Sequence, residues 1–403
     1  SKVAKVPTDD PQFRFLEDRT KVSMTDRGFL LAGSHSIPAA GSTLTYSVDT
    51  SDGASVDWLV KGMVFAVDYT ENNSPETIIV RVETSPVDAG STSTFTGRTI
   101  SAIDGAETGA DNAKCQVIGT SYGEGTGAPD VFSQELDNDF GFTQIFKTAC
   151  EMSNTARATR YRGYEDEFQR VWNLKLREHK VDIERAMLFG QRASQNGIQY
   201  TEGIAGHVIK NGTAVVDDSA LSYSSGAPYF RSSAVSELTY DRILSDFEVI
   251  YDPARGGGDS KLALASLPVI SFFNKLGADA FMNRSLVDGT STAVNDVSNL
   301  RYNMMEKEGS YGHKIMAIDT IHGTMNLVKE PLFRGFASGF CMMVDLDHVA
   351  YRPLVGNGVN RDTQIQTNVQ SADEDLRKDM IMTEAGLEVS LPETHYLLNL
   401  EGV

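Results

Sequence analysis

Tyr164-Glu-Asp-Glu-Phe-Gln-Arg-Val-Trp-Asn-Leu-Lys-Leu-Arg-Glu-His-Lys-Val-Asp-Ile-Glu-Arg-Ala-Met-Leu-Phe-Gly190 is the stretch whose reading decides the fold. Its large residues fall at Tyr164, Phe168, Trp172, Leu176, Ile183 and Met187, with Val171 and Ala186 beside them. The steps are those of one helix face, since residues three, four or seven apart lie one above the other. Glu165, Asp166, Arg170, Lys175, Arg177, Glu178, Lys180, Asp182 and Glu184 occupy the other face, and Gly190 can end the helix. About 26 residues at 1.5 Å each span roughly 39 Å, longer than an ordinary globular helix. A helix with one apolar stripe covers a sheet on one side, so Phe168 and Trp172 are expected to be buried there.

Before this helix the chain has two parts of different character. Residues 1–27 mix six basic with five acidic residues, and Pro7 and Pro11 break any early helix. They read as an extended arm with few partners in its own chain, ordered by something else. Between 30 and 130, Ser, Thr, Gly and Asp dominate. Short strands are expected at Thr43–Val48, Met63–Val67, Thr77–Val82, Thr99–Ile103 and Cys115–Ile118, each bounded by turn residues. That spacing predicts a small β-sandwich or barrel-like module. It holds thirteen acidic and four basic residues, a net of −9 out of −19 for the whole chain. A glycine-rich stretch, Gly119–Pro129, follows, and after it the pattern is read as helical.

Beyond Gly190, residues 236–251 form a second amphipathic helix, Leu262–Ser266 a strand, and Pro268–Leu276 the start of another helix with Pro in its first turn. Residues 283–299 read as a polar loop. Strands are expected at Lys314–Ile318, Thr324–Lys329, Phe340–Val344, Val349–Arg352, Met380–Glu384, Leu387–Leu391 and Tyr396–Leu400. The fold class is therefore α+β, without solenoid repeats.

Composition narrows the function. A net charge of −19 argues against a protein that grips nucleic-acid phosphates, which needs a basic face. No run reaches about 18 apolar residues, the length of a membrane-crossing helix, and Ser1–Asp10 lacks the apolar core of a signal peptide. Cys115, Cys150 and Cys341 are scattered and odd in number, which fits synthesis in a reducing compartment better than a disulfide framework.

Catalytic motifs fail on context. Gly119-Thr-Ser-Tyr-Gly123 matches a nucleophile elbow, but Gly-Glu-Gly-Thr-Gly-Ala-Pro lies where the motif needs a helix. Gly123–Gly127 and Gly256–Gly258 lack the companions of a phosphate loop. His35, His179, His207, His313, His322, His348 and His395 form no close metal-ligand pair and read as surface or core histidines. Asp345 and Asp347, beside His348, mark a strand end rather than an acid pair. Asp373-Glu-Asp375 reads as a solvated loop, and the Phe168–Met187 stripe as core rather than a cofactor pocket. No catalytic, cofactor-binding or metal-binding residue is assigned, and no cofactor is expected.

The order of elements resembles the major capsid proteins of tailed double-stranded DNA phages, the Hong Kong ninety-seven type. It resembles in particular the branch carrying a β-domain in the extended loop. The local text that carries the resemblance is Asn138-Asp-Phe-Gly-Phe-Thr-Gln-Ile-Phe146, Glu151-Met-Ser-Asn-Thr155, Ile183-Glu-Arg-Ala-Met-Leu-Phe-Gly190 and Thr383-Glu-Ala-Gly-Leu-Glu-Val-Ser-Leu-Pro-Glu-Thr-His395. The resemblance implies an N-terminal arm at 1–29 and an extended loop with its β-rich inserted domain at 30–130. It implies a peripheral domain at 131–204 and 346–403 with spine helix 164–190, and an axial domain at 205–345. It implies no enzyme but a subunit that assembles with itself into hexameric and pentameric capsomers and an icosahedral shell. That shell would enclose DNA without sequence-specific binding and without a membrane. Scaffolding, portal and decoration proteins would be further partners, the virion capsid its location, and the host cytoplasm its place of assembly. A phage tail or receptor-binding protein is the alternative, favoured by the acidic β-module and opposed by the long helix and the absence of repeats. A hydrolase rests on Gly119–Gly123 alone.

Overall fold

The computed structural model describes residues 3–17, 27–33, 35–49, 56, 58–71, 74–88, 92–101, 107–109, 113–131, 136–160, 166–211, 213–215, 229–238, 240–251, 257–282, 303–308 and 314–402. The expected loop 283–299 and His313 lie outside them. The chain divides into two compact units. One comprises 1–18, 137–219 and 227–403, and the other comprises 19–136 and 220–226.

The larger unit contains two principal sheets. In one, Leu376–Val389 is the central strand, flanked by Gln144–Ser153 on one side and by Val349–Pro353 and Gln364–Gln366 on the other, with Ala4–Lys5 beyond Val349–Pro353. The second sheet has eight strands in the order Thr213–Val215, Tyr229–Ala234, Tyr396–Glu401, Phe340–Val344, Ser260–Ala265, Thr324–Lys329, Lys314–Asp319, Asn303–Glu308. Helices Ile204–Asn211, Tyr240–Ile250 and Leu267–Met282 belong to the same unit. The central Phe340–Val344 is buried along its whole length, as expected of an uninterrupted Phe-Cys-Met-Met-Val run.

Two expectations need correction here. Gln144–Ser153, in the region read as helical, is a ten-residue strand. Its Lys-Thr-Ala-Cys-Glu-Met core has no strong strand propensity, and pairing with Leu376–Ala385 over its full length decides the conformation. Met380–Glu384 and Leu387–Leu391, expected as two strands, form one strand that ends at Val389, and Leu391 turns the chain with φ 46°.

The N-terminal arm is also more self-contained than its charge and prolines suggest. Ala4–Lys5 runs parallel to Ala350–Tyr351, and Gln12–Glu17 pairs antiparallel with Asp137–Phe142. Alternation buries Phe13, Phe15 and Glu17 while Arg14 and Leu16 face out. The Phe13 ring fits because Gly141 and Gly386 lack side chains; a Cβ at either would meet it at 2.4 and 2.7 Å. Glu17 accepts a hydrogen bond from the Leu391 amide at 3.0 Å. Residues 4–17 are thus ordered by their own chain.

The smaller unit is a β-barrel. Its strands follow the order Gly28–Leu30, Lys114–Thr120, Met63–Glu71, Ser74–Val82, Thr92–Ser101, Thr43–Asp49. A bridge from Leu31 to Val48 joins the last strand to the first. Closure removes the exposed edges that an open sheet would carry. Inward alternation supplies Phe29, Tyr46, Phe65 and Phe95, whose ring centroids lie 5.2–6.1 Å apart. Every strand predicted here is present, each longer than its predicted core, except Thr99–Ile103, of which 99–101 are the tail of Thr92–Ser101 and 102–103 lie outside the described residues.

Candidate assembly surfaces

The long helix runs from Glu167 to Phe189, with Asp166 capping it by accepting from the Gln169 amide at 3.1 Å. Gly190 ends it, as expected. Tyr164 and Glu165 lie outside the described residues. At its C-terminal end the backbone meets the next helix directly. A Cβ on Gly203 or Gly206 would come within 2.6 Å of Gly190 N or 2.3 Å of Gly190 O.

The stripe faces the sheet, but its burial is not where it was expected. Trp172 and Phe168 are only half-buried, and the two fully buried residues are His179 and Leu188. The His179 ring hydrogen-bonds Thr148 Oγ1 and Thr383 Oγ1, each at 2.9 Å, which ties the helix to both long strands. Burial holds its pKa below the usual histidine value. Phe168 instead lies against two guanidinium groups, Arg377 at 4.7 Å and Arg157 at 5.6 Å from its centroid. The solvent side is held by short ion pairs, Arg170–Glu167 at 2.5 Å, Lys175–Glu178 at 2.7 Å and Arg185–Asp182 at 3.3 Å. Exposed pairs of this kind contribute little to stability.

Large apolar side chains stand in solvent on the larger unit, among them Phe336 at 75% and Ile321 at 82% exposure. Phe336 is set on a short 3-10 turn, Gly335–Ala337, whose Ala337 is fully buried, and its ring contacts Phe189 and Phe340. Exposed aromatics on rigid turns are the anchors by which protein surfaces bind one another.

The buried charges are structural struts. Arg231 donates two 2.6 Å hydrogen bonds to Asp246, which also accepts from Tyr396 Oη at 2.7 Å. Lys261 donates to the Thr394 carbonyl at 2.9 Å and lies 3.5 Å from Asp345. Asp345 accepts from the Gly258 amide at 3.0 Å and caps its own turn through the Asp347 amide. Its carboxyl is held low despite burial, because those amides and Lys261 favour the anion. His395 accepts from the Asp345 amide, and burial drives its pKa down to about 3. Arg192 joins Asp139 at 2.8 Å and Glu202 at 3.5 Å, and His207 also faces Glu202. Sequence reasoning missed these pairings; the partners of Lys261, Tyr396 and Gly258 lie more than eighty residues away, and even Arg231 and Asp246, fifteen apart, meet only because a strand and a helix are packed together.

Ser121 follows the strand Lys114–Thr120, but residues 121–131 contain no helix, and its carbonyl accepts from Arg81. His35 stacks on Tyr46 at 5.7 Å. Among the described residues no group of histidine, cysteine and carboxylate side chains could hold a metal ion, and no helix is long and apolar enough to cross a membrane.

Residues 5–401 match the SU10 major capsid protein family, and the chain belongs to that family. The major capsid protein of Pseudomonas phage PaMx41 is 25% identical over 321 residues, which cover 77% of this chain and 65% of that one. The chain thus spans just under two thirds of that relative's length. Distant structural likenesses include a chain of Mycobacterium phage Patience, with 14% identity, TM-score 0.39 and 70% and 78% of the two chains covered. Another is a chain of the satellite phage P4 procapsid with its size determination protein, with 11% identity, TM-score 0.39 and 70% and 85% covered. The family match carries the assignment.

Proposed function

We propose that copies of this chain associate through hexameric and pentameric capsomers into the icosahedral shell around a tailed phage's double-stranded DNA. The observation that carries the reading is the family match over residues 5–401. The chemistry of the chain supports it. The chain offers exposed apolar anchors and a charged helix face, and buried ionisable groups such as Arg231 with Asp246 and Lys261 with Asp345 pair with one another. It works by binding, not by catalysis. A net charge of −19 allows DNA to be enclosed without being gripped.

On this reading 1–29 is the arm and 30–130 the extended loop with its β-module. Residues 131–204 and 346–403 are the peripheral domain with the spine helix, and 205–345 is the axial domain. The acidic β-module faces outward or between capsomers, since its net −9 is repelled by packaged DNA. Scaffolding, portal and decoration proteins are further partners, and assembly takes place in the host cytoplasm. Sedimentation velocity on the purified chain, alone and with a scaffolding partner, tests this. Capsomer rings or shells are expected, and a monomer or dimer under every condition contradicts it.

A further inference from the structure

The strand Gln144–Ser153 has two edges. One pairs residue by residue with Leu376–Ala385, and among the described residues no strand pairs with the other. Ten residues at about 3.3 Å each leave roughly 33 Å of backbone donors and acceptors open to a further strand. One face of the strand is taken, since Phe146 and Cys150 are buried and Thr148 meets the long helix through His179. The other face carries Ile145, Lys147, Ala149 and Glu151, all exposed.

The order of charges on that face is self-complementary. If two copies lie antiparallel with Ala149 facing Ala149, Lys147 of each stands opposite Glu151 of the other, and Ile145 opposite Ser153. The inner faces also match, with Thr148 opposite Cys150 and Phe146 opposite Met152. Lys147 makes no ion pair among the described residues, whereas Glu151 lies 3.1 Å from Lys378 on the neighbouring strand. Pairing would therefore extend one row of alternating charge, Lys378, Glu151, then Lys147 of the second copy. A shift by one residue would bring buried against exposed positions and break the row.

We infer that this edge is an interface between two copies of the chain, related by a two-fold axis at Ala149 and joining their sheets into one. The inference rests on the self-assembly reading and names one of its contacts. An isologous contact of this type needs one surface that fits itself, which the Lys147–Glu151 spacing provides.

The test uses two full-length variants, Lys147→Glu and Glu151→Lys. Alone, each places like charges opposite one another twice across the axis, and the concentration needed for assembly should rise about tenfold or more. Mixed in equal amounts, each variant supplies the charges the other lacks, and assembly should return to the wild-type concentration. The melting temperature of each variant checks that the fold is intact. Independently, Ala149→Cys should form a disulfide-linked dimer on mild oxidation, because the chain's own Cys115, Cys150 and Cys341 are buried. Two variants that assemble like wild type, a mixture no better than either alone, or no cross-link at residue 149 would overturn the inference. In each of those cases shells formed by the wild-type chain would leave the assembly reading standing.

Discussion

His395 has no exposed surface, and its Nδ1 accepts from the Asp345 amide at 3.2 Å, so the native state keeps the ring neutral. Its folded pKa of about 3 lies below the ordinary 6.5. The unfolded chain therefore takes up a proton first as pH falls, and stability declines from about pH 6.5 down to pH 3. Asp345, Asp139, Glu202 and Asp379 are all held low as well, so their contributions are lost in the same direction, at the acid end of that window. Denaturant midpoints measured between pH 7 and pH 4 should fall steadily, and His395→Gln should flatten the slope. A midpoint independent of pH over that range would contradict this account of the site. On the long helix, His179→Ala should cost roughly 2–4 kcal/mol, because it empties the space of a buried ring and removes its hydrogen bonds to Thr148 and Thr383. The half-buried Trp172→Ala should cost only about 1–2 kcal/mol. Thermal unfolding of the two variants should preserve that order.

At the scale of elements, the arm strand Gln12–Glu17 is the part whose role changes most from its reading in sequence. Phe13→Ala removes a ring that fills the space over two glycines and should destabilise the isolated subunit by about 3–5 kcal/mol. Chemical denaturation of unassembled subunit would read this. An unchanged midpoint would mean the arm is ordered only by neighbours. The Phe13–Phe15 alternation was visible in the sequence, but mixed charge and two prolines outweighed it. The long helix was legible to within three residues because its 3.6-residue period persists for six turns. Its burial was not, because a sheet contacts a narrow line of a helix, and the neighbouring threonines made that line a histidine. The edge strand Gln144–Ser153 was illegible because nothing local distinguishes Lys-Thr-Ala-Cys-Glu-Met from a helix. Its conformation comes from a partner more than two hundred residues later. The candidate surfaces were illegible for the same reason, being built of side chains that only the fold brings to one face.

At the scale of the whole molecule, the barrel between 19 and 136 has its own aromatic core and a closed sheet. Residues 121–131 beyond its last strand are exposed and irregular. Limited proteolysis should cut first between Gly119 and Pro129, leaving barrel and larger unit each folded. Early cleavage within Met63–Val82 instead would show that the barrel is not independent. Three features of the described residues fit association: apolar side chains left in solvent, a ten-residue strand edge with no pairing strand, and buried charges paired with one another. The central claim, that the chain builds closed shells, is tested most directly by electron microscopy of the purified full-length chain under assembly conditions. Closed particles of icosahedral symmetry, with pentameric and hexameric clusters on their surface, are the expected result. A field of single subunits at every concentration and with every scaffolding partner, from protein that is otherwise folded, would contradict it.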